Sequence, residues 1–142
     1  MKKQSTVKEI MDKAFLTIES DTTIKDAVAI LGRKKLFGAC VVDGDGKILG
    51  ILSEKECLKI YTEAFKAKNP GMLEKTKVGS IMRPDYKAVP SRMSLFDVAQ
   101  IFLENEFRRM PVVDSGELVG QITRRDIVRA IQAYATGERI ED

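Results

Sequence analysis

Apolar residues recur along this chain in two alternating rhythms, and the succession of rhythms is written twice. Behind Thr23, Ile24, Ala27, Val28 and Leu31 fall at helical spacing, and Asp26 three residues after Thr23 completes a helix-start signal. Two short apolar runs follow, Ala39-Cys-Val-Val42 and Lys47-Ile-Leu-Gly-Ile-Leu52, around Asp43-Gly-Asp-Gly46. They predict two strands and a hairpin turn. Phe15-Leu-Thr-Ile18 predicts a strand ahead of them, and Ser53-x-x-Glu56 opens a last helix carrying Leu58, Tyr61 and Phe65. Before all of these, Thr6-x-x-Glu9 predicts a capped helical turn through Met11.

The second half repeats that order. Pro84 ends an opening turn, and Tyr86-Lys-Ala-Val89 predicts a strand. Ser94-x-x-Asp97 caps a helix bearing Leu95, Val98, Ala99 and Phe102. Arg109-Met-Pro-Val-Val113 and Glu117-Leu-Val-Gly-Gln-Ile122 predict the hairpin. Thr123-x-x-Asp126 caps a helix with Ile127, Ala130, Ile131 and Tyr134, closed by Gly137. A shift of 71 residues sets Val7-Lys-Glu-Ile-Met11 on Val78-Gly-Ser-Ile-Met82, Ser20 on Ser91 and Val41-Val-Asp43 on Val112-Val-Asp114. After a one-residue deletion in the turn, Gly46, Gly50 and Ser53 fall on Gly116, Gly120 and Thr123. Matches in register over about 55 residues mean two copies of one β-α-β-β-α unit. A three-stranded sheet with one free face is marginal alone, which gives a duplicated unit its physical reason. The expected organisation is repeat 1 over 1–66, a linker over 67–76 marked by Asn69-Pro-Gly71, repeat 2 over 77–137 and a tail over 138–142.

Composition narrows the chemistry. Hydrophobic residues at 44% and charged residues at 32% are ordinary for a globular protein. No apolar run approaches the roughly 20 residues that span a bilayer. The start, Met1-Lys-Lys-Gln-Ser-Thr6, is basic but has no apolar stretch behind it, so no signal peptide and no membrane role are expected, and the cytoplasm is the default compartment. There is no histidine, and Cys40 and Cys57 stand apart in apolar surroundings as expected core residues. No nucleophile–base pair and no metal site can be assembled, so neither catalysis nor a required cofactor is expected. Asp43-Gly-Asp-Gly46 lacks the later acid of a calcium loop and reads as a turn. A net charge of +3 with interspersed signs describes solvated faces and makes nucleic acid an unfavoured partner.

The ordered set resembles the cystathionine-β-synthase-type (CBS) domain family over residues 7–134. Its carriers are Val78-x-x-Ile-Met82, Arg108-Arg-Met-Pro-Val-Val-Asp114, Gly116 and Gly120-Gln-Ile-Thr-Arg-Arg-Asp126 in the second copy. In the first copy they are Val41-Val-Asp43, Gly46, Gly50-Ile-Leu-Ser53 and Glu56. The resemblance implies a mixed α/β (α+β) fold of two repeats packed sheet to sheet with pseudo-two-fold symmetry, leaving clefts that take AMP, ADP or ATP, and less readily S-adenosylmethionine. It implies that Thr123 and Asp126 hold phosphate and ribose, and that the base lies against Ala88, Val89, Pro90, Met110 and Pro111. Such chemistry is physically sound, since a helix start presents N–H groups and a positive dipole end to an anion, while a carboxylate suits ribose hydroxyls. Taken alone, Thr123 and Asp126 read as a simple capping box, and the resemblance is what raises them to a binding pair.

Four arginines, Arg108, Arg109, Arg124 and Arg125, bracket this position and match phosphate in charge and geometry. A weaker second site is expected from Thr17, Ile18, Ala39, Cys40, Ser53 and Glu56. There Glu56 replaces the aspartate, and Phe37-Gly38 stand where the second copy has Arg108-Arg109. The expected function is a regulatory adenine-nucleotide sensor serving an unidentified protein partner. The competing reading is a nucleic-acid or protein-interaction module of the same fold, suggested by the arginines and Lys66-Ala-Lys68. A homodimer is also expected, through apolar helix faces that include Phe65 and Phe102.

Overall fold

The computed structural model describes residues 5–36 and 38–137, so Phe37 and the 138–142 tail lie outside the described residues. In chain order the elements are α1 (Val7–Ile10), β1 (Thr17–Glu19), α2 (Ile24–Lys34), β2 (Gly38–Val42), β3 (Ile48–Ser53) and α3 (Glu54–Lys66). They continue with α4 (Met72–Lys75), α5 (Val78–Ile81), α6 (Leu95–Glu104), β4 (Arg109–Asp114), β5 (Glu117–Thr123) and α7 (Arg124–Ala135). The chain divides into two compact units. The first unit is Leu16–Tyr86, and the second joins the residues up to Phe15 with those from Lys87 onward.

In the first unit, β1 pairs parallel with β2, and β2 pairs antiparallel with β3. The turn between β2 and β3 is held by Asp43, whose Oδ1 accepts the N–H groups of Asp45 and Lys47, both at 2.9 Å. Gly46 supplies the left-handed residue the turn needs, with φ +81°. Helix α2 starts at Thr23, whose hydroxyl accepts the Asp26 N–H, and buries Ile24, Ala27 and Leu31 against Ile18, Val41 and Leu52. Helix α3 turns Ile60 and Ala64 inward, while Leu58, Tyr61 and Phe65 form a stripe at i, i+3 and i+7 on its outer side. The expected linker contains the short helix α4, tied to α2 by a Lys25–Glu74 ion pair at 3.0 Å.

In the second unit, β4 and β5 form an antiparallel ribbon. The strand expected over Tyr86–Val89 reduces to one parallel bridge, Val89 with Val112. The core joins Leu95, Val98 and Phe102 of α6 to Met110, Val112 and Ile122 of the ribbon and Ile127 of α7. Phe102, expected on an uncovered face, is buried at 6% exposure because it continues the inward phase of Leu95 and Val98. Ser91 ties the entry of this unit to the ribbon, its N–H and O–H donating to the two carboxylate oxygens of Asp114 at 2.9 and 2.6 Å.

The compact units cut across the repeats. Val7 at the start of α1 is fully buried in the core of the second unit, and its N–H donates to the Met93 carbonyl at 2.9 Å. Asp12 and Gln121 exchange both backbone hydrogen bonds. Reciprocally, α5 belongs to the first unit, and Arg83 exchanges both backbone bonds with Ile51. Thr6 makes no side-chain cap to α1, contrary to the expected capping box. Its backbone pairs with Ser94 instead, and its carbonyl takes the Glu9 N–H.

Candidate nucleotide site

The second unit gathers every residue expected at the stronger site. Arg109 and Thr123 are register partners at the end of the ribbon, so their side chains project on the same side of it. One residue earlier, the Arg108 carbonyl accepts the Arg124 N–H at 3.0 Å, joining the strand entry to the first turn of α7. Val89 lies along the other edge of β4, donating its N–H to the Pro111 carbonyl at 3.2 Å and accepting the Val113 N–H at 2.9 Å.

At the start of α7, Thr123 and Asp126 form a reciprocal capping box. The Asp126 N–H donates to Thr123 Oγ1 at 3.1 Å, and the Thr123 N–H donates to Asp126 Oδ2 at 2.9 Å. The Thr123 hydroxyl is thus an acceptor whose own proton goes to no protein group among the described residues. Asp126 Oδ1 likewise takes no protein donor among them. A threonine proton and a carboxylate oxygen, both half-exposed at a helix start, are the groups that a phosphate oxygen and a ribose hydroxyl require.

The corresponding place in the first unit has the same outline and different chemistry. Gly38 pairs with Ser53 where Arg109 pairs with Thr123. A β-carbon on Gly38 would lie 2.7 Å from the Leu52 carbonyl oxygen, so the backbone itself closes the space that a side chain would need. Here Glu56 Oε1 accepts both the N–H of Ser53, at 3.0 Å, and its O–H, at 2.5 Å. The extra methylene of glutamate lets the carboxylate reach back over the hydroxyl, and the serine proton is consumed. Thr17 pairs with Cys40 across β1 and β2, and Ile18, Ala39 and Cys40 are all buried at no more than 4% exposure.

The other residues expected at the site differ in their surroundings. The Arg124 guanidinium donates to the Asn105 carbonyl at the end of α6, at 3.1 Å. Arg108 and Arg125 are exposed, while Arg109 is half-buried and engaged. The side chains of Val89, Met110 and Pro111 are buried almost completely, the first two in the apolar core, and only Ala88 and Pro90 beside them are half-exposed. Cys57 is half-buried, and its thiol pKa is raised by burial and by Glu56 and Glu54. Sequence reasoning missed the Ser91–Asp114 clasp, although Ser20/Ser91 and Asp43/Asp114 were matched between the copies. Among the described residues the second copy alone forms the pair, while Asp43 Oδ1 accepts two N–H groups of its own turn.

The CBS domain family model matches residues 7–63 and again 78–133. The chain belongs to the CBS domain family. It is 32% identical to the chloroplastic CBS domain-containing protein CBSX1 of Arabidopsis thaliana, over 94% of this chain and 67% of that protein. Its fold matches CBSX2 of the same plant, solved in complex with AMP, at a TM-score of 0.78 and 30% identity, covering 92% of this chain and 98% of that one. The CBS pair of MJ0100, solved with 5′-methylthioadenosine and S-adenosylmethionine, matches at a TM-score of 0.76 over 93% of this chain and 99% of that one. Its 24% identity speaks for the fold alone. Among the described residues, no helix is long and apolar enough to cross a membrane.

Proposed function

We propose that this CBS pair is a regulatory module that binds an adenine nucleotide at the start of α7 and acts by binding, without catalysis. The observation that carries the reading is the Thr123–Asp126 pair, with one hydroxyl proton and one carboxylate oxygen left for a ligand. The likeness to CBSX2 supports adenine as the base. Arginine beside the helix start favours the anionic phosphates of AMP, ADP or ATP over the cationic sulfonium of S-adenosylmethionine. Consumption of the Ser53 proton by Glu56 makes the first unit the weaker site.

Calorimetry on the purified chain with AMP, ADP, ATP and S-adenosylmethionine tests this. One nucleotide should bind per chain more tightly than any second. Silence with all three nucleotides overturns the reading.

The working form is a homodimer. Phe65 and Leu58 on α3 stand 84% and 68% exposed, and Leu103 on α6 and Val128 on α7 stand 80% and 64% exposed, apolar side chains that a second copy could cover. A monomer mass by light scattering across micromolar concentrations, with and without nucleotide, would count against it.

A further inference from the structure

The two repeats fasten their opening segments to the hairpin in different ways. In the first unit β1 runs beside β2 over three register pairs, and the Ser20 N–H continues that ladder to the Val42 carbonyl at 3.0 Å. In the second unit the described pairing is a single bridge, Val89 with Val112. Ser91, the counterpart of Ser20, gives its N–H to Asp114 Oδ1 at 2.9 Å, and its hydroxyl donates to Oδ2 at 2.6 Å. Its carbonyl accepts the Lys8 N–H at 2.9 Å. A side-chain clasp therefore stands where the first unit has a ladder bond. It closes two residues beyond Val89, whose neighbours Ala88 and Pro90 are the half-exposed apolar side chains at the candidate site.

From this difference we infer that Ser91 and Asp114 are positioning residues for the nucleotide: their clasp holds the Ala88–Pro90 edge against β4, so that an apolar face stands ready for the adenine ring. The inference rests on the nucleotide reading and adds two residues that act through the backbone, not by contact with the ligand. Val89 keeps the edge in register by donating its N–H to the Pro111 carbonyl at 3.2 Å and accepting the Val113 N–H at 2.9 Å. Two bonds at one residue leave the edge free to pivot about it, and a second fixed point at Ser91 removes that freedom. An edge fixed before the ligand arrives spares the ordering cost that binding otherwise includes. Hydrogen bonds to a carboxylate are also stronger than the neutral ladder bond they replace. In the first unit the β1 ladder already holds the equivalent edge.

The test uses the full chain with Asp114→Ala, which removes both acceptors, and Ser91→Thr, which keeps both donors. Amide hydrogen exchange and AMP calorimetry are run well below the melting temperature of each variant. Asp114→Ala should speed exchange at the Val89 and Val113 N–H groups and weaken AMP about fivefold to tenfold. Exchange at the Asp126 N–H, which reports the helix start on the phosphate side, should stay as in wild type. Ser91→Thr should match wild type in exchange and in affinity. Unchanged AMP affinity in Asp114→Ala overturns the inference, whatever the exchange shows. Weaker AMP with faster exchange at Asp126 as well, or with no change at Val89 and Val113, also overturns it, as does an equal loss of affinity in Ser91→Thr. A wild type that binds no AMP overturns the nucleotide reading itself, and the positioning role with it.

Discussion

The Met11 sulfur lies against Gly120 so closely that a β-carbon on the glycine would come within 2.7 Å of it. Met82 and Gly50 repeat the relationship in the other unit, where a β-carbon would meet the Met82 sulfur at 3.0 Å and the Arg83 carbonyl oxygen at 2.5 Å. Both methionines end the opening helical turn of a repeat, and both glycines lie in the strand that leads into a site helix. Each glycine is needed because a foreign segment crosses the strand where a side chain would stand. The two repeats are therefore interlocked through the same pair of residue types.

Alanine at these glycines separates the two cases. At Gly120 the nearest atoms belong to the Met11 side chain, which can swing away, and the Asp12 carbonyl oxygen at 3.1 Å need give only a few tenths of an ångström, so the cost should fall near 1 kcal/mol. At Gly50 the nearest atom is backbone, in a segment fixed by two hydrogen bonds between Arg83 and Ile51, and the cost should reach about 3 kcal/mol. Chemical denaturation of Gly50→Ala and Gly120→Ala measures this. Equal losses would mean that the crossing segment at Gly50 yields as easily as a side chain.

The Ser91–Asp114 clasp gives stability a pH dependence of known sign. The Asp114 pKa is lowered from 3.8, first by the Ser91 hydroxyl, then by the Ser91 N–H, with Arg92 and Lys8 adding smaller attractions. A depressed folded pKa means the contribution is present above the ordinary carboxylate value and is lost as pH falls through the folded value. Asp114→Asn should therefore lower the melting temperature at neutral pH, and its difference from wild type should shrink on acidification below about 3.8. A constant difference from neutral to acid pH would show that the carboxylate charge has no part in the clasp.

Much of this molecule is legible in its residues because the information is local. The hairpin turns and the caps at Thr23, Ser94 and Thr123 depend on neighbours three or four positions apart and stand as read, whereas the second copy's opening strand, which needs a distant partner, reduces to one bridge. What was not legible depends on distant partners. Whether Thr6 caps its own helix or pairs with Ser94 is decided by a segment far along the chain. The phase of α3 is a second case, since Ile60 with Ala64 and the stripe Leu58, Tyr61 and Phe65 are both apolar at helical spacing. Tertiary packing alone chooses which goes inward. At the site, the sequence places the residues together but cannot say that Arg124 is drawn to the Asn105 carbonyl.

The two acids of the paired sites should respond oppositely to truncation. Asp126→Ala removes a carboxylate that keeps one oxygen for ligand, so it should abolish the tighter nucleotide-binding event. Glu56→Ala frees the Ser53 proton and should leave that event intact while destabilising the start of α3, a lost cap costing about 1 kcal/mol. Calorimetry paired with thermal melts reads both effects. Loss of the tight event in Glu56→Ala with retention in Asp126→Ala would move the principal site to the first unit.

Arg109 should set the preference for phosphate over a bare nucleoside, and Arg108 should not. Arg109 stands directly opposite Thr123, so its side chain shares the side of the ribbon that carries the threonine. Arg108 precedes the strand and is exposed, and its structural tie is through its backbone carbonyl to Arg124, which alanine retains. A charge-assisted contact to phosphate contributes about 1.5–3 kcal/mol, or roughly tenfold to a hundredfold in affinity. Arg109→Ala should weaken AMP by that factor and leave adenosine nearly unchanged, because adenosine has no phosphate to lose. Arg108→Ala should change neither ligand. Parallel calorimetric titrations of both variants with AMP and adenosine distinguish the outcomes. Equal weakening of AMP and adenosine in Arg109→Ala would make the arginine a support for the site's shape. Unchanged AMP binding in that variant would leave the phosphate to the Thr123 hydroxyl and the N–H groups that open α7.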